Sequence, residues 1–147
     1  MSDLAAVAAL GTTPIAGANP SGASARYEPE FEKLPAEIAK LESPDGKASI
    51  KWDIVADAGA ELLGGKSKDL LVASYMTLGL LHQDGFAGLA AGFGVTRDLL
   101  KTFWDTLFPE VARMRARSQA IQWMNDRITP SLTELGGASK GDKAALE

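Results

Sequence analysis

The sequence predicts an all-α fold: an antiparallel helical bundle of about five or six helices with an extended N-terminal loop. Three observations carry that expectation. Apolar residues recur at helical spacing in most segments after residue 30, as in Phe31, Leu34, Ile38 and Leu41. The connections are short and rich in Gly, Pro and Asp, which places consecutive helices side by side. The only alternating stretch, "ASIKWDIV", competes poorly with the helical spacing of Trp52, Val55 and Ala56.

The elements follow in order. An apolar run from Leu4 to Leu10 forms a short helix or a frayed end. It is too short and too acidic at its start, with Asp3, for a secretion signal. Residues 11–29 mix Gly, Pro, Ser and Asn without a period and read as an extended entry loop. The first long helix carries Phe31, with Glu28 and Glu30 near its positive end and Pro35 either in its first turn or kinking it. After a turn at 43–49, a helix holds Trp52, Leu62 and Leu63, with Asp53 as its cap and Gly64-Gly65 as a left-handed stop. A third starts at Ser67, whose hydroxyl caps it, with Asp69 in its first turn. Its Leu70, Leu71, Val72, Tyr75, Met76, Leu78 and Leu81 cover more than one stripe, so it is central and largely buried. Asp84-Gly85 breaks it. A fourth runs from Phe86 to Phe108 and is closed by Pro109. A last spans roughly Arg117 to Thr129 or beyond, with Pro130 as its expected break and Leu132 and Leu135 as a short extra turn. Trp52, Trp104 and Trp123 each fall on an apolar face and are expected in the core.

The chain therefore divides into an N-terminal extension and entry loop (1–28), a helical domain (29–135) and a flexible tail (136–147) that reads as the start of a linker. Its 147 residues suit one domain with a substantial core. The formal net charge of -4 argues against a nucleic-acid binder that uses its whole surface. With no cysteine, disulfides and thiolate metal sites are impossible. One histidine and no Asp/Asn-rich loop leave no metal or cofactor to propose. No apolar run is long enough for a membrane span, and a cytoplasmic location is the default expectation.

Gly65-Lys66-Ser67 resembles the end of a phosphate-binding P-loop. That motif needs a glycine at position 60, where Ala60 stands, and a strand before it, where a helix is expected. A nucleotide-binding enzyme built on this turn is the least favoured reading. His82, at the end of the third helix, complements the negative helix terminus better than it serves as a base without a positioned partner. Arg113, Arg115 and Arg117 form a basic run across the turn before the last helix. Their spacing of two spreads them over different directions. They suit an acidic partner, a helical nucleic-acid-binding module, or solvated and salt-bridged surface positions.

Three segments carry a family resemblance: "GASARYEPEFEKLPAEIAKLES", "SKDLLVASYMTLGLLHQDGFAGLAAGF" and "LLKTFWDTLFPEVARMRARSQAIQWM". In order and spacing they resemble the conserved N-terminal region of the TssA/ImpA family of bacterial type VI secretion, in its VasJ-like branch, over about residues 14–128. The most specific elements are Arg26-Tyr27 before Pro29 and Phe31, Ser67 to Leu71 with Asp69, Phe103-Trp104 with Pro109, and Arg115 to Arg117 followed by Trp123. Ser24 departs from the acidic residue expected in that loop. The resemblance implies a non-enzymatic scaffold domain that contacts baseplate, tube or sheath components, with no cofactor, no nucleic acid, no membrane insertion and self-association as a further option. Arg113, Arg115 and Arg117, with Arg26 and Tyr27 of the entry loop, are the expected partner-binding residues. Phe31, Trp52, Asp69, Trp104, Pro109 and Trp123 are the expected structural ones.

Overall fold

In the computed structural model, which describes residues 3–136, five α-helices make up the body. They are α1 (Leu4–Ala9), α2 (Pro29–Ile38), α3 (Trp52–Gly65), α4 (Leu70–Thr102) and α5 (Met114–Gly136). Short 3-10 turns lie in each connection except that between α3 and α4. Among the described residues the only ladder-type pairings are two isolated bridges, Gly22 with Ser67 and Asp69 with Phe108.

Helix α4 is a hairpin. Gly85, at φ 65° and ψ -143°, leaves the helical region in a conformation that only glycine adopts at low cost. It divides α4 into arms 70–84 and 86–102, so the expected break at Asp84-Gly85 is present. The arms fold back on each other. A Cβ added at Gly92 would lie 2.5 Å from the Thr77 hydroxyl oxygen, and one at Gly88 would lie 2.1 Å from the Leu80 carbonyl. The first arm is the centre of the molecule. Leu70, Val72, Ala73, Met76, Leu78, Leu80 and Leu81 are all buried on it, as the multi-stripe pattern predicts. Helices α1, α2 and α3 pack around it, and α5 covers the remaining side. A smaller apolar cluster of Leu81, Leu89, Met124 and Ile128 sits toward the Gly85 end.

Several boundaries differ from the sequence expectation, each for a physical reason. Helix α1 is a defined helix, because Asp3 accepts a hydrogen bond from the Ala6 amide at 3.1 Å. Helix α2 begins with Pro29 in its first turn, which leaves Pro35 in the interior. Helix α3 starts at Trp52, so Asp53 lies in its first turn and is not its cap. It ends at Gly65 without a left-handed glycine; the Lys66 amide closes it on the Leu62 carbonyl. Helix α4 starts at Leu70, with Asp69 and not Ser67 as its cap. Residues 67–69 cannot join the helix because their backbone bonds to neighbouring segments. The second arm stops at Thr102, six residues before the expected Phe108. The following turn closes on Phe103, and Phe108 bonds back to Lys68. Helix α5 runs through Pro130 to Gly136. Pro130 removes one backbone bond, a cost of about 3 kcal/mol in a helix interior. Leu132 and Leu135 offset that cost by packing on the smaller cluster. Apart from Gly136, the expected tail lies outside the described residues.

The expectation for tryptophan is corrected at Trp104, which is 41% exposed because the helix that would have turned it inward has already ended. Trp52 and Trp123 are partly buried against the core. Trp52 stacks on His82 with ring centroids 4.0 Å apart, and His82 Nε2 lies 3.0 Å from the Ser131 hydroxyl. Among the described residues no helix is long and apolar enough to cross a membrane.

Candidate partner interface

Residues 66–69, between α3 and α4, form a crossing at the pole opposite Gly85. On one side, the Ala23 amide donates to the Lys66 carbonyl (3.1 Å) and the Lys68 amide to the Ser21 carbonyl (2.8 Å). On the other, Leu70 donates to the Phe108 carbonyl and Phe108 to the Lys68 carbonyl, both at 2.8 Å. The hydroxyls of Ser21 and Thr106 close the two flanks on each other at 2.7 Å. This crossing disposes of the P-loop geometry. The amides of Lys66 and Ser67 both donate to Leu62, and that of Lys68 to Ser21, so they do not form a cradle for phosphate. The Ser67 side chain is fully buried.

Three charged side chains hold the crossing. Lys68 is 0% exposed, and its ammonium donates to the carbonyls of Leu63 (2.7 Å) and Leu10 (2.8 Å), near the ends of α3 and α1. It also lies 5.5 Å from the Phe103 ring centre. Burial pulls its pKa down to about 8. Asp69 caps α4 through the amides of Leu71 (2.8 Å) and Val72 (3.4 Å), and its second oxygen lies 3.6 Å from Arg26 Nε. Burial pushes its carboxyl up, while Arg26 and the two amides pull it back. Arg117 is the third. It is 2% exposed and donates to the carbonyls of Pro109 (2.6 Å) and Leu107 (3.0 Å), with its guanidinium 4.7 Å from the Trp104 ring centre.

Arg117 therefore leaves the expected partner-binding set. Its position on α5 turns it inward, where it pegs that helix to the 107–109 segment and Trp104 shields it from solvent. Four other residues of the set stay outside. Arg26 and Arg113 line one groove of about 310 Å³. Tyr27 is 91% exposed beside Arg26. Arg115 is exposed but does not line the groove. The floor comes from Leu71, Ala116, Ala120 and Trp123, with Pro109 and Gln119 completing the lining. Arg26 also lies over the Phe31 ring at 5.0 Å, and Trp123 meets Tyr75 edge-on at 4.8 Å. The expected structural residues Phe31, Asp69, Pro109 and Trp123 thus all border or support this groove.

Sequence reasoning missed Lys68, since nothing around it marks a lysine as buried. It also missed Ala116 and Ala120. Their spacing of four, continued by Trp123, is a helix-face signal that the neighbouring arginines obscured. Among the described residues, no group of three or more His, Asp or Glu stands together as a metal site.

These features define an all-α domain whose most differentiated surface is a basic, tryptophan-edged groove. The model of the family described as "ImpA, N-terminal, type VI secretion system" matches residues 12–126, and the chain belongs to that family. A solved structure, the N-terminal domain including the conserved ImpA_N region of the TssA component of the type VI secretion system from Burkholderia cenocepacia, is similar at a TM-score of 0.71 and 30% identity. The match covers 90% of this chain and 50% of that one. The type VI secretion system component TssA1 of Pseudomonas aeruginosa is 39% identical over 59 residues, 40% of this chain and 17% of that protein. The chain thus spans half the length of the solved relative and a smaller part of the curated one.

Proposed function

We propose that this chain is a non-enzymatic interaction domain of a TssA-like protein, acting in the bacterial cytoplasm to contact baseplate, tube or sheath components during assembly of the secretion apparatus. Family membership supports the setting. The observation that carries the reading is the convergence of Arg26, from the entry loop, with Arg113, 87 positions further along, on one groove whose lining holds no carboxylate. Two cations with no acid among the lining residues, Arg26 being backed by the buried Asp69, form in a chain of net charge -4 a local change of sign of the kind that selects a partner. Tyr27 and Arg115 extend the same face.

The test is charge reversal at the exposed Arg113 and Arg115, leaving Arg117 in place because its burial makes it part of the fold. Pull-down against purified baseplate, sheath and tube proteins, and against the chain itself, is expected to lose one partner while the far-UV spectrum stays helical. Unchanged binding to every partner by the folded double variant overturns the reading.

A further inference from the structure

The groove beside Arg26 and Arg113 has a chemistry that names its occupant. Its only charged lining residues are those two arginines. Asp69 sits behind Arg26, 3.6 Å away and 1% exposed, so it orients that guanidinium without presenting a negative charge to solvent. Between the cations the floor is apolar and shallow. Ala116 and Ala120 lie one turn apart on α5, Leu71 comes from α4, and Trp123 stands at the far end. Arg113 ends the 3-10 turn just before α5, and from Met114 to Trp123 the groove follows that helix for about 14 Å, at 1.5 Å per residue. Alanines at that spacing let another backbone approach closely, and the tryptophan face offers an apolar side chain a place to bury.

Resting on the interaction reading above, we propose that this groove docks a short acidic segment of a protein partner, with carboxylates on Arg26 and Arg113 and an apolar side chain against Trp123 and the alanine floor. Arginine suits this role because its planar fork binds a carboxylate through two parallel hydrogen bonds. Nucleic acid fits the groove less well. Phosphate binding gains affinity from many contacts along a backbone, and here two cations flank an apolar floor in a chain of net negative charge.

The experiment places the photo-crosslinking residue p-benzoyl-phenylalanine at Gln119, on the groove wall, in the full-length protein in its native bacterium. Glu61, on α3 and outside the lining, is the control position. The expected capture at Gln119 is a segment of a type VI secretion component that carries at least two Asp or Glu and one large apolar residue within about three helical turns. Arg113→Glu is expected to cut its yield about tenfold, the effect of reversing one partly exposed ion pair. Lys101→Glu, an exposed cation on α4 outside the lining, is expected to leave it within about twofold. Capture of a basic or uncharged segment of such a component overturns this inference and leaves the interaction reading standing. So does an equal loss from Lys101→Glu, which would assign the effect to diffuse charge. If no secretion component is captured above the control, the groove is not the docking site, and the pull-down decides separately whether another face is. Capture of nucleic acid overturns both.

Discussion

Replacing Lys68 with methionine separates the electrostatic cost of a buried ammonium from its packing. Methionine keeps most of the unbranched stem and removes the charge. The carbonyls of Leu10 and Leu63 lose their donor at every pH, which fixes a constant offset. The pH dependence then belongs to the lysine. Burial holds its folded pKa at about 8, against the ordinary lysine value of 10.5. Below pH 8 both folded and unfolded chains carry the proton, and the burial cost is present in full. Between pH 8 and 10.5 the folded chain releases the proton while the unfolded chain keeps it, so stability rises with pH. From pH 7 to 10 the linkage gives the wild type a gain of about 2.5 kcal/mol over Lys68→Met. The neutral amine still has two N–H groups, enough for both carbonyls. Urea unfolding at pH 7, 8, 9 and 10 reads this as a relative midpoint shift of roughly 1 M for a domain of this size. Tyr75, whose pKa is raised mainly by burial, contributes an opposite slope above pH 10, but to both proteins, so the difference isolates Lys68. A wild-type minus variant difference that stays flat from pH 8 to 10 refutes the burial argument.

Three further predictions follow from the same pole and its opposite. Arg117→Ala leaves the carbonyls of Leu107 and Pro109 unpaired and is expected to cost about 3 kcal/mol in urea unfolding, with Arg117→Lys recovering only part because an ammonium cannot span both acceptors as a fork does. Asp69→Ala removes the α4 cap and is expected to cost about 1–2 kcal/mol, whereas Asp69→Asn, which keeps an acceptor oxygen, costs less. Burial holds the Asp69 proton more tightly in the folded chain, so this residue's contribution falls as pH rises from 3.8, and acid unfolding of Asp69→Asn is expected to lack that component. Gly85→Ala, forcing a Cβ onto a φ of 65°, is expected to cost about 1–3 kcal/mol and to lower the thermal midpoint without changing the far-UV spectrum at low temperature.

The all-α class was legible because apolar periodicity depends on burial, and burial dominates where helices are long. The break at Gly85 was legible for a local reason: a glycine after an aspartate ends helices. The ends at Thr102 and Gly136 were not, because both are decided by distant partners. Phe103 to Phe108 leaves the helix to bond with Lys68 and Leu70, and α5 continues past Pro130 because the smaller cluster holds it. The basic run shows the same division. Its three arginines look alike in sequence, yet one lines a groove, one faces solvent and one is buried under Trp104. What distinguishes them is the direction each takes from the start of α5, and that start, at Met114, lies three residues before the sequence places it.

The groove is assembled from Arg26, Leu71, Pro109 and α5, stretches of chain that approach one another only because the α4 hairpin returns Phe108 to Lys68. A linear peptide copied from residues 107–123 would contain Arg113, the alanines and the tryptophan but neither Arg26 nor Leu71, and so no pocket. If the groove docks a partner as proposed, only a finished molecule presents it: a chain that has not closed its hairpin would offer that partner nothing to hold, and incomplete copies would be left out without any separate inspection step.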